Sequence, residues 1–267
     1  MFALSSRFAA VLALLIAAAC RPDFQLRRYS TNEALYEAAQ RELQARRWSN
    51  AVAALEKLVA DLSPRDTLLP RVHWSLGKAH QGRQEWLLAA QSFSRLADAF
   101  PEDSLADDAM IEAARSYRRL WRKPALDPQY GEMALTTYRT FLGLYPDSDL
   151  VEVANAGIRE LEEWFAQKNY DTGRFYVKRK APDSAILYFR YVRENYPTSA
   201  LARDAGLRLV EVYRSINYRD DAAEVCEALR QKYVNDRDVA ALCAQAPNPP
   251  PESQRVAQPD SAVRTSP

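Results

Sequence analysis

Three segments of this 267-residue chain repeat one local pattern: DAFPEDSLADDA at 98–109, GLYPDSDLVEVA at 143–154 and ENYPTSALARDA at 194–205. They align on an aromatic residue, a proline (Pro101, Pro146, Pro197), a leucine four residues beyond it and an alanine eight beyond it. Proline ends many helices, but a proline that returns with its neighbours at intervals of 45 and 51 residues marks an internal repeat. That confines the chain to architectures in which one supersecondary unit stacks on its own copies.

The rest of the unit emerges by reading backwards from each proline. Twelve residues earlier stand Ala89, Ala134 and Ala185; eight earlier, Phe93, Tyr138 and Phe189; five earlier, Leu96, Phe141 and Val192. Two degenerate copies fit the same frame, Ala51, Leu55, Leu58 and Leu62 near the start and Ala222, Cys226, Leu229 and Tyr233 near the end. A small residue followed by large apolar ones at +4, +7 and +11 is one face of an α-helix, the B helix of the unit. The small position lets a neighbouring helix approach closely. An A helix precedes each, marked by Leu76, Gly77 and His80, by Gly173 and Tyr176, and by Leu209 and Tyr213.

The spacing Gly77–Ala89–Pro101 is 12 and 12, and Gly173–Ala185–Pro197 repeats it. This resembles the tetratricopeptide pattern of 34-residue helical hairpins. The fold class expected is all-α, five tandem tetratricopeptide-like hairpins, which by that resemblance form a right-handed superhelical array. Two insertions account for the longer intervals: the loop RKPALDPQY (122–130) in the third copy, and an extended fourth A helix from about Asp149 to Lys180. Ser104 with Asp107, and Asp149 with Glu152, have the spacing of helix N-caps.

With 48% apolar residues, only 7 glycines and no alternating strand-like runs, the chain can build a sizeable helical core. A net charge of +1, without a basic stripe, argues against nucleic acid. At the N-terminus, MFALSSR carries one positive charge and precedes FAAVLALLIAAA and Cys20. Twelve apolar residues are too few for a membrane span, which needs about 20, so residues 1–19 read as a signal peptide. Cys20 at the cleavage point resembles a bacterial lipobox with Ala17 in place of the preferred leucine, and Arg21 resembles the outer-membrane sorting pattern. The expected organisation is a lipidated linker at 20–29, the repeat domain at 30–235, a short C-terminal helix at 236–245 and a disordered proline-rich tail at 246–267.

Candidate chemistry is sparse. His73 and His80, the only histidines, lie seven apart on one A helix without an acid or cysteine at metal spacing, and no metal ligand set is expected. Cys226 and Cys243 could pair in an oxidising compartment or stand as two small buried apolar residues. Absence of a nucleophile motif, phosphate loop or catalytic domain leads to the expectation of a non-enzyme without cofactors.

Two stretches carry a sharper resemblance: GRFYVKRKAPDSAILYFRYVRENYPTSALARDA (173–205) and YRTFLGLYPDSDLVEVANAGIRELEEW (138–164) are similar to the central repeats of the ComL family, also called BamD. The similarity runs in order from Cys20 to about residue 235. It implies a scaffold anchored by lipid to the periplasmic face of the outer membrane. Its partners would be the BamA periplasmic domains, other assembly-complex lipoproteins and unfolded outer-membrane β-barrel proteins, with membrane contact through the N-terminal lipid. The N-terminal repeats would recognise clients and the C-terminal repeats would dock. A periplasmic repeat adaptor for cell-wall or division proteins is the alternative. On the fourth B helix, helical geometry turns Tyr188 and Tyr191 to the flank and Arg190 and Arg193 outward, and these four are the expected partner-binding residues. An arginine on this helix looks important for BamA contact in the family; here that position is Tyr188, with Arg190 two residues on.

Overall fold

The computed structural model describes residues 24–244; the expected leader, Cys20 and the proline-rich tail lie outside them. After a short 3-10 turn at Leu26–Arg28, the described residues form α1 (Asn32–Gln44), α2 (Trp48–Asp61), α3 (Leu69–Gly82), α4 (Trp86–Ala99), α5 (Ala106–Leu120), α6 (Gln129–Leu144), α7 (Val151–Lys178), α8 (Pro182–Asn195), α9 (Leu201–Ser215), α10 (Arg219–Lys232) and α11 (Arg237–Cys243). There is no strand among them. Even-numbered helices α2 to α10 are the B helices of the five hairpins. The chain divides into two compact units, Met1–Leu120 with Thr136–Ala154 and Trp121–Leu135 with Asn155–Pro267.

The repeat frame is carried by burial. The small positions Ala51, Ala89, Ala134, Ala185 and Ala222 and the +4 positions Leu55, Phe93, Tyr138, Phe189 and Cys226 are all buried. The A-helix glycines make room for a large side chain of the following B helix, the +4 residue in the second and fourth hairpins and the +7 residue in the fifth. A Cβ on Gly77 would lie 2.6 Å from the Phe93 ring, on Gly173 2.7 Å from Phe189, and on Gly206 2.6 Å from Leu229. At +11 the residue is half-buried at the helix end, and its N–H still bonds the carbonyl four back, as for Phe100, Tyr145, Tyr196 and Tyr233. Pro101, Pro146 and Pro197 then follow, which disfavours helical geometry in the residue before them.

The helix starts differ from expectation. Asp103 and Ser148, one residue before Ser104 and Asp149, accept the N–H two residues on, that of Leu105 and of Leu150, at 2.9 and 3.1 Å. Ser199 does the same for Leu201 at 3.1 Å. A short polar side chain closing a local turn on the backbone is an Asx or Ser turn rather than an N-cap of the following helix, and it fixes the chain direction just after the proline. The third hairpin is joined by the loop between α5 and α6, and α7 runs for 28 residues, two residues inside the expected span at each end.

In the first unit the A helices are bridged by hydrogen bonds. Gln40 Nε2 donates to Ser75 Oγ at 2.7 Å, and Gln81 Nε2 donates to Glu112 and Ser116 at 2.7 and 3.2 Å. Lys78 pairs with Glu112 at 3.2 Å and sits 4.8 Å over the Trp74 ring. Burial pushes the Glu112 carboxyl up, but the bonds from Gln81, Lys78 and Arg115 outweigh it and leave its pKa below the usual value.

The second unit relies on aromatic contacts and a cross-link. Trp121 is fully buried, its ring 5.4 Å from Trp164 and 4.6 Å from Phe165. Tyr170 packs on Phe189 at 5.5 Å. Cys226 of α10 and Cys243 of α11 form a disulfide, with Cα atoms 5.4 Å apart.

Candidate partner interface

Helix α8 begins with Pro182 at a first-turn position, where the missing N–H costs nothing, and ends at Tyr196 before Pro197. Ala185, Phe189 and Val192 turn inward and are fully buried. That anchoring fixes the rest of the helix. Tyr188 is half-buried and stacks on Tyr176 of α7, centroids 5.5 Å apart and planes 11° from parallel. Tyr191 is 43% exposed, its ring edge-on to Tyr196 at 5.9 Å.

The two arginines part company. Arg190 is exposed along its length, yet Arg190 Nη2 donates to the Tyr213 hydroxyl of α9 at 2.6 Å, a bond that raises its pKa further. Arg193, expected to point outward, is half-buried, and burial lowers its pKa from the usual arginine value. It stands four residues after the buried Phe189, at the edge of the inward stripe, where Tyr213 of α9 and Tyr233 and Glu224 of the last hairpin act on its charge, so the second arginine faces the next hairpin and not the outer ridge.

Leu187 was not among the expected residues and is 63% exposed, the most exposed large apolar side chain of this helix. With Tyr191 at i+4 it forms an apolar ridge on the solvent side. The available signal was an apolar residue two positions after Ala185, off the buried stripe. Large aromatic side chains with arginine alongside are the types that dominate interface energetics, and here the arrangement is an apolar ridge of Leu187 and Tyr191 flanked by Tyr188 and a hydrogen-bonded Arg190.

Among the described residues no group of three or more His, Cys, Asp or Glu could hold a metal ion. His80 is buried with Nδ1 2.8 Å from a carboxylate oxygen of Glu85, five residues on. His73 is buried, and burial, then Arg95, lowers its pKa, which favours the neutral ring. Among the described residues no helix is long and apolar enough to cross a membrane.

Comparison with known proteins gives a consistent picture. Residues 28–229 match the YfiO family model, described as outer membrane lipoprotein. The chain is similar to the outer membrane protein assembly factor BamD of Caulobacter vibrioides, 25% identical over 205 residues, covering 77% of this chain and 67% of that protein. The BamD of Rickettsia prowazekii is 31% identical over 93 residues, covering 35% of this chain and 37% of its own. That of Vibrio cholerae is 23% identical over 196 residues, covering 70% and 81%.

Proposed function

Because the chain belongs to the YfiO family of outer membrane lipoproteins, we propose that it is a non-enzymatic scaffold for assembling outer-membrane β-barrel proteins. It is held by lipid on Cys20 at the periplasmic face and docks on the periplasmic domains of BamA through α8. The observation that carries the docking surface is the outer ridge of α8, where Leu187 and Tyr191 stand exposed on a helix whose inner face is fully buried. An exposed ridge on an immobile helix loses little conformational freedom on binding. The BamD relatives are outer membrane protein assembly factors by name, which supports the same reading.

Two experiments test it. Purified BamA periplasmic domains are titrated against the full chain and against Leu187→Glu with Tyr191→Ala, and separately against Tyr188→Ala with Arg190→Glu. Each pair is expected to weaken binding about tenfold or more, ~1.4 kcal/mol, with the Leu187/Tyr191 pair still folded and its thermal transition little lowered, because neither side chain belongs to the buried face of the helix. Unaltered affinity in both folded variants moves the docking surface off α8. Failure of BamA to co-purify with membrane-extracted protein favours the cell-wall or division adaptor instead. For the anchor, Cys20→Ser is expected to leave the outer-membrane fraction, since stable attachment rests on acyl chains worth about 0.8 kcal/mol per buried CH₂.

A further inference from the structure

We infer that α11 is the covalently held wall of an inner groove that takes a positively charged peptide segment with an apolar side chain beside its basic residue. The groove, 320 Å³ in volume, lies among α7, α9 and α11 and is lined by Tyr170, Leu207, Arg208, Glu211, Asp238 and Leu242, with Asp204 at its edge. That is the lower end of the about 300–1,000 Å³ range of ligand sites, room for one or two side chains and not for a folded surface.

Charge selects the occupant. Asp204, Glu211 and Asp238 line the groove and Asp236 shares Arg203 with two of them, four carboxylates against the two guanidinium groups of Arg203 and Arg208. Arg203 is already committed to Asp204, Asp236 and Asp238, at 2.5–2.7 Å, and Arg208 pairs with Glu211 at 2.7 Å. The surplus is negative. Tyr170, Leu207 and Leu242 supply an apolar side next to it, so a lysine or arginine flanked by an apolar residue matches both halves.

The wall depends on the cross-link. A seven-residue helix is far below the roughly 12–15 residues at which an isolated helix becomes marginally stable. What keeps α11 in place is Val239, buried in the core of the last hairpin, the Cys226–Cys243 disulfide, the Arg203 ion pairs to Asp236 and Asp238, and Arg230 donating to the Cys243 carbonyl. One buried valine and a few ion pairs are a small anchor for a helix of this length, so loss of the disulfide is expected to loosen the Asp238 and Leu242 side of the groove.

The test uses a fluorescently labelled peptide of alternating leucine and arginine, and a leucine–glutamate peptide of the same length, titrated against the full chain by anisotropy. The basic peptide is expected to bind the oxidised protein and the acidic one not to. Dithiothreitol, whose two thiols close to a ring disulfide as Cys226 and Cys243 each become a thiol, is expected to weaken binding about tenfold, with the thiols counted to prove reduction. Glu211→Lys, an exposed change that leaves the disulfide and the core intact, is expected to weaken it by a similar factor. Equal binding of the two peptides, unaltered binding after proven reduction, or unaltered binding by Glu211→Lys overturns the proposal. Concentration-dependent dimerisation blocked by the same Glu211→Lys change, with no peptide binding, assigns the groove to a second copy and overturns it as well.

Discussion

Phe93 in the first unit and Phe189 in the second do the same thing: each covers a glycine of the preceding A helix so closely that an added Cβ would meet the ring at 2.6 or 2.7 Å. Around that shared contact the two units are held differently. In the first, neighbouring A helices exchange hydrogen bonds through Gln40, Ser75, Gln81 and Glu112. In the second, the last hairpin is closed by a disulfide, by the Arg203 cluster and by α11. The difference follows from position in the array. An internal hairpin has a next copy to cover its face, and modest polar bridges fix the register. The last has none, and a short helix must be tied down to do the covering.

The largest effect that can break this comparison is loss of the shared aromatic. Phe93→Ala and Phe189→Ala are each expected to cost about 3–5 kcal/mol, and to cost alike, when measured by denaturant unfolding. A clear inequality would mean that the two hairpins do not share one frame. Next comes the covering device. Cys226→Ala with Cys243→Ala removes a cross-link spanning 17 residues, worth roughly 3 kcal/mol by loop-closure entropy. Hydrogen exchange is expected to place the loss in α9 to α11 and leave α1 to α5 protected as before. Loss of protection in both units would show that the ends are energetically coupled.

A third test concerns the small position itself. Ala185→Leu overfills a fully buried site and is expected to cost about 1–3 kcal/mol, whereas Ala181→Leu, at the half-exposed start of α8, is expected to cost less, as read from thermal transitions.

The smallest effect is a difference in acid response. His73 in the first unit has a lowered pKa, so the unfolded chain takes up its proton first. Its contribution is full above about pH 6.5, the unfolded value, and is lost as pH falls below that. Asp236 in the second unit is held well below the usual carboxylate range by the Arg203 guanidinium, so its contribution is full above about pH 4 and is lost only as pH falls further. Mild acid is therefore expected to loosen α3 before α11 in a pH series of hydrogen exchange, and His73→Phe is expected to remove the earlier step.

Helix identity, hairpin register and the buried stripe were legible in the sequence because each depends on a local period: a small and a large apolar position repeat five times, and a closing proline three times. The long α7 was legible for the same reason. The turn acceptors were missed by one residue, Asp103 for Ser104 and Ser148 for Asp149, since a capping pattern and a local Asx or Ser turn use the same residue types at neighbouring offsets. The place of Arg193 was not legible because it depends on how one hairpin lies against the next, which a helical wheel does not contain. The Cys226–Cys243 pair was open for the same reason: its formation needs α11 to fold back onto α10, a contact that no periodicity encodes. Leu187 is legible only as an apolar residue that falls off the inward stripe, a signal that neither the helical period nor the aromatic and arginine types carries.

Four of the five hairpins turn from A to B through one residue with a left-handed backbone, Arg46, Gln84, Lys180 and Asn217, at φ of 55°, 62°, 57° and 63°, and none of them is glycine. Each gives its N–H to a carbonyl three back, and in all four the next residue bonds the carbonyl five back, so the corner is the same piece of backbone used repeatedly. In the terms of descent, the chain carries interchangeable joints. A hairpin can be duplicated or deleted between two such corners without a new connection having to arise. The third hairpin, whose corner is replaced by the longer segment between Leu120 and Gln129, is the one hairpin without such a joint.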